Sequence, residues 1–169
     1  MFKVASWNLN SVRSRLTHVT TWLKAREPDV LLLQELKGTE FPSEAFKSLG
    51  YESVAVTQKP RARYRAMLGL GYTDAFRSLH VGEIGHFTFW DYFRQAFKNN
   101  RGIRIDHFLL SPSLANQLES CEIDKGPRGL EKPSDHTPII VTLSDLNDEA
   151  SHHSGSDIRE ATDESREAR

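Results

Sequence analysis

Two short apolar segments near the start of the chain, separated by a stretch with helical spacing, restrict the fold more than any other feature. Phe2 to Trp7 alternates in polarity, and Val30 to Leu33 is a continuous apolar run. Between them, apolar residues recur at helical spacing until Pro28, which cannot continue a helix. The order strand, helix, strand predicts an α/β fold in which both strands are buried.

The same alternation continues along the chain. Pro42 and Gly50 bracket a second predicted helix, which a strand from Tyr51 to Val56 follows. The remaining predicted elements are a short helix near 67–70, strands in HFTFWDY and IRIDHFLLS that form a hairpin with a long loop, and strands over 119–124 and 138–143.

Composition and charge narrow the class of protein. A chain of 169 residues with 38% hydrophobic and 27% charged residues is typical of one soluble domain. Its single cysteine, Cys121, cannot form a disulfide within the chain, so the protein is not a disulfide-stabilised scaffold. No apolar run is long enough for a membrane span, and the first ten residues lack a signal-peptide core. We therefore expect a cytoplasmic protein with no membrane partner.

The last 26 residues differ in character from the rest of the chain. Residues 1–143 carry 19 basic and 15 acidic side chains, a net charge of +4, whereas residues 144–169 carry 3 and 8, a net charge of −5. This end has no aromatic residue and only two large aliphatic ones, too few to offset the entropy of ordering. We predict one folded domain over 1–143 and a disordered acidic tail over 144–169.

Polar side chains cluster where predicted strands begin or end. Asn8 and Asn10 follow the first strand, Glu35 follows the second, and Asp135 with His136 precedes the last. Loops at strand ends are where α/β sheets gather ligand groups, and carboxylate and amide oxygens suit Mg²⁺. Glu35 taken alone is more typical of an exposed surface or capping residue than of a metal ligand.

Asp106 is an anomaly, because it lies inside the apolar segment IRIDHFLL, where a carboxylate needs a partner. His136 is one candidate, since a carboxylate would hold its ring in one tautomer and make it more basic. The alternative is a structural ion pair with Arg104 or Arg101.

Aromatic side chains and cations interleave between 87 and 104. Rings that stack on bases, next to cations that neutralise phosphates, are typical of nucleic-acid binding. An aromatic segment of this kind is more often part of the core than a binding surface. The basic run KPRARYR over 59–65 could be a phosphate-binding stripe or a solvated helix face.

Six segments carry a more specific pattern in combination: SWNLNSVRSR, PDVLLLQELK, FPSEAFKSLGY, GYTDAFR, FTFWDYFRQAFKNNRGIRIDHFLLS and EKPSDHTPI. In this order they resemble the exonuclease III type of abasic-site endonuclease, within the endonuclease/exonuclease/phosphatase superfamily. They cover nearly all of residues 1–143, and they resemble the DNA-repair branch of that superfamily rather than its phosphatase branches.

The resemblance implies a shortened nuclease domain with an α/β sandwich, which uses Mg²⁺, or Mn²⁺ as an alternative, to cut double-stranded DNA 5′ of abasic sites and to degrade 3′ ends. The metal ligands it implies are Glu35, Asn10 and Asp135. The catalytic groups are His136, Asp106 and Asn8. The DNA contacts are Arg13, Arg15, Phe89, Trp90, Arg101, Ile103 and Arg104, of which Phe89, Trp90 and Ile103 would wall the pocket for a flipped-out abasic sugar.

The chain departs from the family between about 58 and 68, where a long central block is absent. With it go the segment Gly-Asp-Phe/Met-Asn, whose Asp the family uses as general base, and several strands; no GDxN string occurs in the sequence. Asp74 corresponds to a different Asp of the family, so we do not assign it as the base.

The missing strands imply an incomplete sandwich with exposed sheet edges. A shortened monomer, a strand-sharing dimer and a poorly folding chain all remain open. We expect weak activity or none, and the alternatives to an enzyme are an inactive DNA-binding remnant and a truncated product without function.

Overall fold

A computed structural model, which describes residues 1–38, 40–54 and 64–144, contains the following elements. The strands are β1 (Phe2–Asn8), β2 (Val30–Gln34), β3 (Thr73–Asp74), β4 (Leu109–Leu110), β5 (Leu118–Ile123) and β6 (Ile139–Leu143). The helices are α1 (Leu16–Arg26), α2 (Ser43–Lys47), α3 (Tyr64–Gly69), α4 (Ala75–Leu79) and α5 (Pro112–Ala115), with 3-10 turns at Arg13–Arg15, Phe93–Gln95 and Gly126–Gly129. The predicted α/β class is confirmed, whereas the predicted tail, apart from Ser144, lies outside the described residues.

The main sheet has four strands in the order β2-β1-β6-β5. β1 and β2 are parallel, as the predicted strand–helix–strand unit requires, and α1 makes the crossover between them. β6 lies antiparallel to β1, with Val4 opposite Val141, and β5 lies antiparallel to β6. β3 and β4 form a separate two-stranded pair.

A hydrophobic core lies between α1 and one face of the sheet. Val19 and Trp22 of the helix are buried against Ala5 and Trp7 of β1. The two tryptophan rings lie 5.6 Å apart at an interplanar angle of 59°. This packing buries the apolar stripe that the helical spacing predicts.

A second core covers only part of the opposite face. Its buried members are Ala75, Phe76, Leu110, Cys121, Ile139, Val141 and Leu143. Phe2, Val30 and Leu32 lie on the same face, as the strand pairing requires, yet they are 44%, 36% and 48% exposed. The prediction that β2 is a buried strand is therefore wrong on this face, because no described element packs over it.

Two further strand predictions are wrong for lack of partners. Residues 51–54 are not in a strand, while 55 and 56 lie outside the described residues. The bridge between Phe89 and Ile103 is the only β-bridge between HFTFWDY and IRIDHFLLS, and β4 is the one strand that the two segments supply. The ladder stops there because the Thr88 hydroxyl, rather than a backbone carbonyl, accepts the N–H groups of Ile105 and Asp106.

Candidate active site

The sheet topology brings the three polar clusters predicted from the sequence to one end of the sheet, where β1 and β2 finish and β6 begins. Asn8 and Glu35 are neighbours because Asn8 ends β1 and Glu35 directly follows β2, which runs parallel to β1. Asp135 and His136 join them because they precede β6, which runs antiparallel to β1. This end of the sheet is where ligand groups converge in open α/β folds.

Hydrogen bonds connect Asn8 and the three predicted metal ligands into one network. Asn8 Nδ2 donates to Glu35 Oε1 at 3.1 Å, and Asn10 Nδ2 donates to Asp135 Oδ1 at 3.1 Å. The Asn10 backbone N–H donates to Asn8 Oδ1 at 3.0 Å and joins the two pairs. Two carboxylates and two amides are thus held within one polar cluster.

The backbone of this cluster is strained at several positions. Asn10, Glu35 and Lys37 have φ of 47°, 51° and 46°, in the left-handed region. Each such residue costs about 1–3 kcal/mol, and such strain concentrates at functional sites. A backbone hydrogen bond from Ser11 N–H to the Glu35 carbonyl, 2.8 Å long, holds the two loops together.

The surroundings of Glu35 favour its charged form. The hydrogen bond from Asn8 lowers the pKa of the Glu35 carboxyl, and a second hydrogen bond from Lys37 lowers it further. Partial burial opposes both effects. Glu35 is therefore ionised at neutral pH, as a cation ligand must be.

Asp106 and His136 are in direct contact. Asp106 Oδ2 lies 2.8 Å from His136 Nδ1, and both side chains are largely buried. A carboxylate can only accept a hydrogen bond, so Nδ1 carries the proton, and Nε2 is the atom able to face a substrate. The alternative considered for Asp106, an ion pair with Arg104 or Arg101, is not formed: Arg104 pairs with Asp74, and the Arg101 guanidinium donates to the Arg94 carbonyl.

Two hydroxyl groups absent from the sequence-based interpretation hold this pair in place. Ser134 Oγ donates to the Asn8 carbonyl at 2.7 Å and accepts from the His136 N–H at 3.2 Å, so it ties the pair to the Glu35 cluster. Thr88 Oγ accepts from the Asp106 N–H at 3.1 Å. No sequence signal distinguishes these two hydroxyls from others, because their roles depend on contacts 126 and 18 residues away.

Arg104 is not available to DNA, which corrects its predicted role. Its guanidinium lies 2.8 Å from Asp74 Oδ2, and both side chains are almost fully buried. Burial alone would raise the pKa of Asp74, but hydrogen bonds from His107, Arg104 and Tyr64 and from the Arg77 N–H together lower it well below its usual range. Arg104 and Asp74 are thus a structural ion pair in the second core.

Arg15 also differs from its predicted role as a DNA contact. Its guanidinium donates to the carbonyls of Asn10 and Pro133 and to the Tyr92 hydroxyl, so it braces the loops around the site. Arg13 and Arg101 are exposed, as the predicted DNA contacts require. Most of the basic run over 59–65 lies outside the described residues.

The three predicted pocket residues separate into two groups. Trp90 is fully buried and packs edge-on against Phe87 and Phe97, so it cannot touch a sugar, because it forms core. Phe89 contacts the His136 ring at 5.0 Å between centroids. Ile103 is exposed and is bridged to Phe89, which is itself bridged to His136.

The donor atoms fit a hard divalent cation. In the described part of the chain, no three His, Cys, Asp or Glu side chains form a ready-made metal cage. Glu35 and Asp135 are instead linked through Asn8 and Asn10, which makes an oxygen-rich set with two carboxylates. Mg²⁺ binds through one or two carboxylates and keeps several waters, so these residues suit it.

Comparisons with known proteins show which nucleases this chain is similar to. The sequence profile of the Endonuclease/Exonuclease/phosphatase family matches residues 57–136. Exodeoxyribonuclease III of Haemophilus influenzae is 42% identical over 79 residues, which are 47% of this chain and 30% of that protein. DNA repair nuclease APEX1 of Danio rerio is 30% identical over 160 residues, covering 85% of this chain and 49% of that protein. The chain thus spans less than half the length of these two relatives.

The fold has close structural neighbours as well. A 3′ phosphatase named NExo from Neisseria, bound to a product DNA hairpin, superposes with a TM-score of 0.78 at 21% identity, covering 85% of this chain and all of that one. Among the described residues, no helix has the length and apolar character to cross a bilayer. The profile match and these relatives show that the chain is similar to nucleases of the exonuclease III type, within the endonuclease/exonuclease/phosphatase family.

Proposed function

We propose that this chain is a divalent-metal-dependent phosphodiesterase that acts on double-stranded DNA, incising 5′ of abasic sites and removing nucleotides from 3′ ends. The observation that carries the proposal is the Asp106–His136 pair, which Ser134 ties to the ionised Glu35 cluster. That the relatives are DNA-repair nucleases, and that a neighbour of the same fold binds a DNA hairpin, supports the choice of substrate.

Each residue of the site has a proposed role. Glu35 and Asp135, with Asn10, would hold Mg²⁺ or Mn²⁺, which supplies Lewis-acid stabilisation of the scissile phosphate. Asp106 fixes the His136 ring so that Nε2 faces the phosphate and stabilises the charge that develops on it. Asn8 orients the Glu35 carboxylate.

The apolar side chains of Phe89 and Ile103 would recognise the abasic sugar. Phe89 packs against the His136 ring and Ile103 is bridged to Phe89, and a sugar that carries no base costs little to turn out of the helix. Arg13 and Arg101 are exposed and would neutralise backbone phosphates.

Turnover is proposed to be low. The sequence has no GDxN segment, so the general base of the family is missing. Loss of general-base catalysis costs about 10²–10⁴-fold in rate. The competing function is a DNA-binding protein that does not cleave, which the same missing segment favours.

Incision of a labelled duplex with one abasic analogue, in Mg²⁺ or in EDTA, tests the proposal. We expect slow, metal-dependent cutting by the unmodified chain that Glu35→Gln and His136→Asn both abolish. Glu122→Gln, an exposed change on the far strand β5, should cut like the unmodified chain.

The outcomes separate the two functions. If the unmodified chain cuts no faster than the His136→Asn variant at high protein concentration, the enzyme is excluded. Salt-dependent duplex binding without cutting then supports the DNA-binding alternative, and a broad, non-cooperative melt supports a product that does not fold.

A further inference from the structure

Lys37 is a charged group that the proposed mechanism does not use, although it lies in the middle of the site. Its Nζ is 3.1 Å from Glu35 Oε2, while the other oxygen of that carboxylate accepts from Asn8. The same Nζ donates to Asn10 Oδ1. The Lys37 ammonium therefore contacts two of the three residues predicted to hold the metal.

The contacts of Lys37 are those that a bound cation would make. An ammonium offers three donors and one positive charge, and it accepts nothing. Here it is directed to a carboxylate oxygen and an amide oxygen, both of which are hard ligands for Mg²⁺. One positive charge at this position neutralises Glu35.

Lys37 is also free to leave. Its side chain is 55% exposed and that of Glu35 is 49% exposed, and ion pairs between such side chains are weak. Leu36, between them in sequence, packs against the first core and anchors the segment. The segment can therefore stay in place while the long Lys37 side chain moves into solvent.

We propose that Lys37 is an internal counter-ion of the metal site, which a divalent cation displaces. Without the cation, its ammonium neutralises Glu35; with the cation bound, the released ammonium contacts a phosphate of the DNA. This inference rests on the proposed function, because it requires the cation to bind at Glu35.

The claim that the cation displaces Lys37 from Glu35 is tested by measuring Mn²⁺ binding in the absence of DNA, with electron paramagnetic resonance as the readout. Lys37→Gln removes the competing charge, so we expect it to bind Mn²⁺ about 1.5–5-fold more tightly than the unmodified chain. Lys37→Arg keeps the charge and should bind with nearly unchanged affinity. Lys24→Gln, an exposed change on α1, is the matched control and should have no effect.

Glu35→Gln separates this inference from the proposed function. It should weaken Mn²⁺ binding about tenfold or more. If Glu35→Gln weakens binding and Lys37→Gln leaves it unchanged or weaker, the counter-ion role is wrong and the metal site stands. If Glu35→Gln binds Mn²⁺ like the unmodified chain, the metal site itself is wrong, and both proposals fail.

Binding to an abasic duplex tests the claim that the released Lys37 ammonium contacts a phosphate of the DNA. In EDTA, Lys37→Gln should bind the duplex as well as the unmodified chain does. In Ca²⁺, it should bind the duplex more weakly. The slope of log affinity against log salt concentration should be shallower by about one, which corresponds to one lost phosphate contact. Equal weakening in EDTA and in Ca²⁺ would mean that Lys37 contacts DNA without being displaced, and would overturn the proposal.

Discussion

Two halves of one sheet face differ in burial although both carry apolar side chains. On the β5–β6 half, Ile139 and Val141 are fully buried beneath Phe76 of α4 and its neighbours. On the β1–β2 half, Val30 and Leu32 are equally apolar but exposed. The difference shows that an apolar strand is buried only where another element folds over it, and that residue type sets no more than the tendency.

A charged cluster anchors the element that covers the buried half. Asp74 Oδ1 accepts from the Arg77 N–H at 3.0 Å and so caps α4. Asp74 Oδ2 accepts from Tyr64 of α3 at 2.7 Å and from Arg104 at 2.8 Å. Changes to this cluster should therefore affect the covered half far more than the open half.

Asp74→Asn should have the largest effect on stability. The amide keeps an acceptor for the α4 cap but leaves the Arg104 charge buried without its partner, so we expect a loss of about 3–5 kcal/mol in the free energy of unfolding. Urea denaturation measures it, with the exposed Glu122→Gln as control. A loss below about 1 kcal/mol would mean that the Asp74 cluster does not anchor α4 over the β5–β6 half of the sheet.

Ile139→Ala should have the next largest effect. Ile139 is fully buried, so the truncation leaves a cavity, and we expect a loss of about 2–5 kcal/mol. The same denaturation experiment measures it. A much smaller loss would show that the covered half repacks easily.

Acid provides a graded test of the Asp74 cluster. Because the pKa of Asp74 is lower in the folded chain than in the unfolded one, its contribution to stability is fully present above about pH 4, the unfolded value, and declines as the pH falls below it. Unfolding followed from pH 7 to pH 3 should lose more stability in the unmodified chain than in Asp74→Asn. Parallel pH profiles would contradict this assignment.

Leu32→Ala should have the smallest effect. Its side chain lies on the open half of the face and loses little burial, so we expect a change within about 0.5 kcal/mol. A loss as large as that of Ile139→Ala would mean that the β1–β2 half is covered in solution, and would remove the contrast between the halves.

Much of the fold and part of the site could be predicted from the sequence. Periodicity predicted α1, β1 and β2, and the polar residues after those strands predicted that Asn8 and Glu35 would meet. Asp106 was identified as needing a partner because a carboxylate is costly among apolar residues, and it contacts His136. The catalytic and metal-binding roles of these residues stay predictions.

Other features could not be predicted from local pattern. From the sequence, Arg104 could contact DNA or pair with Asp106; the structure instead pairs it with Asp74, 30 residues away. The family resemblance implies that Trp90 walls a pocket, whereas the structure buries it in the core, as is usual for an aromatic segment. Each outcome depends on which distant segments pack together.

The sequence by itself determined the first strand–helix–strand unit and the polar groups at the strand ends, because spacing and residue chemistry act over a few neighbouring positions. Only the tertiary structure decided which half of the sheet face is covered, which arginines are used internally, and that Lys37 lies against Glu35. Those outcomes depend on the parallel and antiparallel order of four strands, which sets distances between residues far apart in the chain.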